Sequence, residues 1–162
     1  MFMAVHKING DLYVGSTGKQ LKDISNKGGC TLRCVNDFRM NIPSGWEQTK
    51  IPFDYMLSNS NTDLFEYYNN GIRIKKAGYY MISLTLNFDG DGNTYSAIIN
   101  ASGSPIIISD QSKCYGMSNI YALPIIVYCE ANAIIFGAIR HETPINNVLC
   151  RGERSALTVV SI

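Results

Sequence analysis

Apolar and polar residues alternate along most of this chain with the two-residue period of β-strands. The clearest case is residues 78–88, where every second side chain is large and apolar. These side chains are Tyr80, Ile82, Leu84, Leu86 and Phe88. No segment of about ten residues shows the 3.6-residue period of an amphipathic helix. The pattern therefore predicts an all-β chain.

Further strand-like segments follow one another from residue 51 to the end, with Gly, Asn and Asp turns between them. They cover residues 51–55, 64–68, 72–75, 94–100, 105–109, 120–129, 131–139 and 157–162. We expect Asp89-Gly90-Asp91-Gly92-Asn93 to form a turn between two of them. About ten short strands at this spacing predict an antiparallel sandwich or barrel.

Residues 1–44 differ from the rest, because they are rich in Gly, Lys and Asn and poor in apolar clusters. The Asn9-Gly10-Asp11 turn between short apolar runs predicts a β-hairpin, and residues 19–24 are compatible with one helical turn. We expect this segment to be a docking arm, separated at Pro43-Ser44-Gly45 from a head domain of residues 45–162. The residues expected to make its docking contacts are Leu12, Tyr13, Val14, Leu21 and Ile24.

The charge of the chain is low and balanced. Charged residues make up 17% of the sequence, against about 25% in typical soluble domains. The net charge of +1 excludes a broad basic surface for nucleic acid. Residues 77–139 carry only five charged side chains. One explanation is that other subunits cover much of this surface.

The sequence also bears on compartment. No apolar run reaches the roughly 18–20 residues of a membrane span, and the first residues do not read as a secretory signal. We therefore expect synthesis in a cytoplasm and no membrane insertion. The odd number of cysteines, five, leaves at least one thiol unpaired within a chain, and free thiols fit a reducing compartment. The five cysteines are Cys30, Cys34, Cys114, Cys129 and Cys150.

Candidate chemistry is sparse. Cys30 and Cys34 lack two further ligands for zinc. The Asp89 motif is similar to the start of a calcium loop, but Asn100 stands where such a loop has a bidentate Glu. We favour a plain turn there and keep a weak cation site as the alternative. His141-Glu142 would be an acid–base pair only with a nucleophile that no sequence signature supplies. We expect no catalytic residue, no metal and no cofactor.

Residues 50–162 resemble the jelly roll of tumour-necrosis-factor ligands and complement-type globular heads. The resemblance rests on Ile51-Pro52-Phe53-Asp54, on the Gly78-Tyr79-Tyr80 entry to a long strand, on residues 119–136, and on the terminal strand 155–162. It implies a bell-shaped homotrimer. The residues it makes candidates for the trimer axis or the core are Tyr80, Ile82, Phe136, Leu157 and Val159.

Residues 8–21 resemble segments of bacteriophage tail, baseplate and head-fibre proteins. Together with the trimeric head, this predicts a virion structural protein that binds a host-surface saccharide or neighbouring virion proteins. The candidate contact residues are Asn59, Asn61, Tyr68, Asp89, Asp91, Asn93, Tyr95, Lys113 and Tyr115. The alternatives are a secreted cytokine-like ligand or adhesin, and a small glycan-active enzyme, which would need paired carboxylates in one cleft.

Overall fold

The computed structural model describes residues 5–8, 11–14, 19–20, 27–43, 47–109, 112–141 and 144–162. These residues form fifteen β-strands, one 3₁₀ turn at Gly152–Arg154 and no α-helix. All the pairings between these strands are antiparallel. The prediction of an antiparallel all-β chain is confirmed.

The first three strands form a small sheet of their own. They are β1 (Val5–Ile8), β2 (Asp11–Val14) and β3 (Lys19–Gln20). Ile8 lies opposite Asp11, which is the register of the predicted hairpin, although its Asn9-Gly10 turn lies outside the described residues. Lys19–Gln20 pairs with β2 instead of starting a helical turn. Of the predicted docking residues, Leu12, Tyr13 and Val14 belong to β2, while Leu21 and Ile24 lie outside the described residues.

The other twelve strands form the head. They are β4 (Gly29–Arg33), β5 (Phe38–Ile42), β6 (Thr49–Lys50), β7 (Tyr55–Asn59), β8 (Phe65–Tyr68), β9 (Gly71–Ile74), β10 (Gly78–Ala101), β11 (Ser104–Ile108), β12 (Ser112–Cys129), β13 (Ile134–His141), β14 (Ile145–Cys150) and β15 (Ala156–Ser161). Along the main path of this sheet the order is β7-β4-β15-β10-β13-β9-β8.

Strand β10 belongs to both layers of the head. Its first half pairs with β12 and β15, and its second half pairs with β11 and β13. The predicted turn at residues 89–93 is therefore wrong, because the chain continues there as strand with a register shift between Asp91 and Thr94. A side chain at Gly90 would lie 2.4 Å from the carbonyl oxygen of Cys114. The glycine thus permits a close approach of β12 rather than a reversal of the chain.

The core lies between the two layers. The ring of Phe65 on β8 packs edge-on against Tyr80 on β10, with centroids 5.9 Å apart. On β13, a Cβ at Gly137 would lie 2.7 Å from Leu84 and 3.1 Å from Phe53, so the lack of a side chain here lets both core residues pack directly against the strand. The inward-facing set predicted from residues 78–88 is buried throughout.

The predicted boundary at residues 44–45 is also wrong. Strand β4 pairs with β15 on one side and with β7 on the other, so it is interior to the head. Strand β5 pairs with β14. Both strands lie within the segment assigned to the arm, although Cys30 and Leu32 are completely buried in the core of the head. The head therefore includes Gly29, and the separate sheet of β1, β2 and β3 is what remains of the arm.

Candidate functional site

Large apolar side chains lie exposed along the outward face of β10 and β12. Exposed fractions reach 61% for Tyr79 and 71% for Leu123. Tyr79 lies opposite Tyr128 across the two strands, and their rings contact edge-to-face at 5.4 Å. We call this set the apolar face. Its members are Tyr79, Met81, Tyr121, Leu123, Ile126 and Tyr128.

Short side chains cover the part of the same layer next to the apolar face. Ser83 on β10 lies opposite Thr158 on β15, which in turn lies opposite Thr31 on β4. The hydroxyls of Thr31 and Thr158 are 3.2 Å apart. Two residues further along β10, Thr85 lies opposite Ala156 on β15. The layer thus has an apolar ridge on β12, which among the described strands pairs only with β10, and a smooth strip beside it.

At the opposite edge of this layer lies a cavity of about 410 Å³. Tyr55 and Leu57 on β7 form one wall, and Arg33, Glu153 and Arg154 form the other. The exposed fractions of Tyr55 and Leu57 are 46% and 43%, so this edge also presents apolar surface. The layer is therefore partly apolar at both edges.

Arg151 links three separate segments of the chain beside this layer through ion pairs. Its guanidinium donates to Asp37 at 2.8 Å and to Asp89 at 3.0 Å. The other oxygen of Asp37 accepts from the backbone N–H of Gly152 at 3.0 Å. The hydrogen bond from Arg151 holds the pKa of Asp37 below its usual range, and the same bond raises the pKa of Arg151. This network joins the β4–β5 connection to β10 and to the segment after β14.

Protonation of the Asp37 carboxylate should make the protein less stable in acid. Because its folded-state pKa is lowered, its stabilisation is present above the unfolded pKa of about 3.9 and is lost as pH falls through the folded value. We expect Asp37→Asn to lower the thermal midpoint at neutral pH and to flatten its decline in acid, measured by circular dichroism melts from about pH 2 to 7. Asp63→Asn is the control, because Asp63 has no ion pair among the described residues. Parallel midpoint curves for wild type and Asp37→Asn would contradict this assignment.

The titratable groups in the core do not form a reactive centre. Burial raises the pKa of Cys30 to about 11 and those of Cys34 and Cys150 to about 12, so these thiols stay protonated at neutral pH. His141 is only 2% exposed and packs on the Tyr95 ring at 4.7 Å. His141 therefore belongs to the interior of the head, and Glu142 lies outside the described residues. Among the described residues, no group of three or more His, Cys, Asp or Glu side chains is arranged to hold a metal ion.

The structure separates the predicted contact residues. Tyr95 is 1% exposed and packs against Phe88, so it is a core residue of the chain and not an exposed contact. Asp89 lies in a strand and pairs with Arg151 instead of standing in a turn. The side chains of Asp91 and Asn93 lie outside the described part of the chain.

The other predicted contacts fall into two kinds. Asn59 and Asn61 hold local backbone: Asn59 donates to the Phe65 carbonyl at 3.1 Å, and Asn61 accepts from the Asp63 N–H at 3.0 Å. Tyr68 is exposed beneath the guanidinium of Arg73, which lies 3.5 Å from its ring centroid. Lys113 and Tyr115 are both exposed on β12, and Tyr115 is 70% exposed.

The five candidates for the trimer axis or the core divide clearly. Tyr80, Ile82, Leu157 and Val159 are core residues, each at most 2% exposed. Phe136 is half-buried, and the Lys50 ammonium lies 4.7 Å above its ring. None of the five belongs to the apolar face. The sequence did contain a signal for that face. Tyr79 and Met81 are apolar although they alternate with inward-facing residues, and most of residues 120–129 are apolar at both alternating positions.

Solved structures share this architecture. Murine APRIL at pH 5.0 matches with a TM-score of 0.65 at 12% identity, over 84% of this chain and 99% of that chain. Eiger TNF from S. frugiperda matches with a TM-score of 0.61 at 8% identity, over 85% and 93%. The chain has the TNF-like jelly-roll fold. The phage PRD1 vertex protein P5 matches this jelly roll with a TM-score of 0.56 at 12% identity, over 83% and 96%.

Sequence comparison adds no closer relative. No family model matches the chain, and no curated protein matches it. At 8–14% identity, the matched structures establish the jelly roll alone. In the part of the chain that is described, no helix is long and apolar enough to cross a membrane.

Proposed function

We propose that this chain is a bacteriophage virion protein that assembles as a homotrimer through its apolar face. The homotrimer proposal rests mainly on the apolar ridge on β12, which lies beside the smooth strip around Thr158 on the same layer. Exposed apolar surface of this extent marks an interaction site, because leaving it in water is unfavourable. The jelly-roll head would attach to a host-surface saccharide, and the arm of β1, β2 and β3 would dock onto neighbouring virion proteins.

The shape of the layer is compatible with a ring of subunits. The ridge lies at one edge beside the strip, so the ridge of one copy can meet the strip of the next. Contacts between two different patches are head-to-tail, and they close into rings when the rotation permits. The tumour-necrosis-factor resemblance implies a ring of three. The few charges between residues 77 and 139 agree with a surface that assembly covers.

Two observations support the virion role. The PRD1 vertex protein shares the jelly roll, so this fold occurs in a phage structural protein. The described cysteines form no disulfide and all are buried, which fits a protein assembled in a reducing cytoplasm. A binding role without catalysis agrees with thiols held protonated at neutral pH.

The second candidate is a secreted, cytokine-like trimeric ligand. The match to APRIL and Eiger favours it. The lack of a disulfide among the described cysteines counts against it, because secreted proteins commonly oxidise their cysteines.

The test has two parts. Light scattering on the full chain should give a mass about three times that of the 18.0 kDa chain, and a monomer at micromolar concentration would contradict the trimer. Mass spectrometry of purified particles of a phage that encodes the chain should then find it among the virion proteins. A trimer that is missing from the particles would overturn the virion role and favour the ligand.

A further inference from the structure

A small polar pocket lies where β14 passes between β5 and β10. Its volume is about 180 Å³. It brings together Asp89 and Tyr95, two predicted contact residues, with groups from strands that the sequence did not predict. The complete lining is Arg39, Asp89, Tyr95, Ile145, Asn146, Asn147, Val148 and Leu149. None of these residues belongs to the apolar face.

A β-bulge shapes the pocket. The pairing of β14 with β5 shifts register between Ile145 and Val148, and Asn147 adopts a φ of 65°. Side chains of β5 hold this bulge: Asn41 accepts from the Asn147 N–H at 2.9 Å, and Arg39 donates to the Asn147 carbonyl at 3.1 Å. Asn147 is thus held in a left-handed conformation by hydrogen bonds to both its N–H and its carbonyl. Bulges of this kind change the direction of neighbouring side chains and are frequent at functional sites. Asn146 therefore lines the pocket from an ordered backbone.

The polar groups of the pocket retain hydrogen-bonding capacity. Arg151 occupies one carboxylate oxygen of Asp89, and the other has no partner among the described residues. Arg39 uses only Nη1, which leaves its other nitrogens as donors. The side chain of Asn146 is exposed, so its amide offers both a donor and an acceptor to a ligand.

This combination matches the hydroxyls of a sugar ring. Each hydroxyl donates one hydrogen bond and accepts others, so adjacent hydroxyls need donors and acceptors side by side. Asp89 supplies the acceptor, Arg39 the donors, and Asn146 both. Ile145 and Val148 supply an apolar wall for the C–H groups of the ring. The lining carries one positive and one negative side chain, Arg39 and Asp89, so its charge is balanced and a neutral sugar suits it better than a charged one.

We infer that this bulge pocket binds one neutral monosaccharide unit through two adjacent hydroxyls. The inference deepens the proposed attachment role, on which it rests, by naming the receptor chemistry and its place. Because the pocket does not use the apolar face, the trimer can form whether or not the pocket is occupied.

Saturation-transfer NMR on the full chain tests the pocket. The probes are millimolar glucose, galactose, mannose, rhamnose and N-acetylglucosamine. We expect at least one to receive saturation from the wild type, and Asn146→Ala to weaken its binding about tenfold, because the hydrogen bonds of one amide are lost. Asn36→Ala is the matched control, because Asn36 is also exposed and lies outside the pocket lining.

The outcomes separate this pocket from the trimer. No signal from any of the five sugars, or equal binding by wild type and Asn146→Ala, would overturn the pocket. An equal loss in Asn36→Ala would do the same, since it would place the contact elsewhere. Light scattering on the same samples distinguishes the two proposals: a trimer without sugar binding refutes the pocket alone, and a monomer that binds sugar through Asn146 refutes the trimer alone.

Discussion

A chain that carries Leu123→Asp should run as a monomer where the wild type runs as a trimer. Leu123 is 71% exposed on the ridge, so the change leaves the core of the single chain untouched. In the trimer, the carboxylate would be buried against apolar surface at each of three equivalent contacts. Burying an unpaired charge costs several kcal/mol, and about 3 kcal/mol per contact weakens association more than a hundredfold.

Tyr68→Asp is the matched control for this experiment. Tyr68 is also exposed, but it lies on β8 in the other layer, so its variant should remain trimeric. Circular dichroism should show both variants folded and melting cooperatively, with Tyr68→Asp near the wild-type midpoint and Leu123→Asp below it, because the monomer has lost the stabilisation from subunit contacts. A Leu123→Asp chain with the mass of a trimer would show that assembly uses another surface.

Deleting residues 1–44 should prevent folding, whereas deleting residues 1–26 should leave a folded head. The longer deletion removes β4 and β5, and with them Leu32, Met40 and Ile42 from the core. Losing three such side chains costs on the order of 10 kcal/mol, which is comparable to the whole stability of a domain. It also leaves one edge of β15 without its partner.

The shorter deletion stops before the first contacts of the head. Among the described residues, Gly28 is the first that is hydrogen-bonded to the head, and its N–H donates to the Ser161 hydroxyl at 2.8 Å. Circular dichroism and limited proteolysis should show a cooperative, protease-resistant domain for residues 27–162 and an unfolded chain for residues 45–162. Cooperative melting of the longer deletion would restore the boundary at residue 44. If residues 27–162 enter virions as efficiently as the full chain, the docking role of the arm is wrong.

Strand β4 shows why the boundary was missed. Its sequence, Gly-Cys-Thr-Leu-Arg, has only two apolar positions and begins at the second of two consecutive glycines, so its local pattern is that of a loop. It becomes a strand because β15, more than 120 residues later in the chain, pairs along it. Long-range pairing of this kind overrides local preference.

The pocket illustrates the same limit on a smaller scale. The glycine-rich motif around Asp89 predicts a turn, but its neighbours Arg39 and Asn146 lie in strands that the alternation of side chains does not predict. Their meeting depends on the pairing of β5 with β14 and on the bulge at Asn147. No local spacing encodes that meeting.

The alternation of side chains was enough to determine the all-β class, the inward face of residues 78–88 and the terminal strand. A strand period defines two faces, but it does not say which of them another layer will cover. Residues 120–129 are apolar on both faces, and a bulge at Leu123 and Pro124 shifts their alternation. Ala122 and Cys129 therefore point inward, while Tyr121 and Tyr128 remain outside. Only the tertiary structure decided this, because the packing of the second layer determines which apolar side chains are left for another subunit to bury.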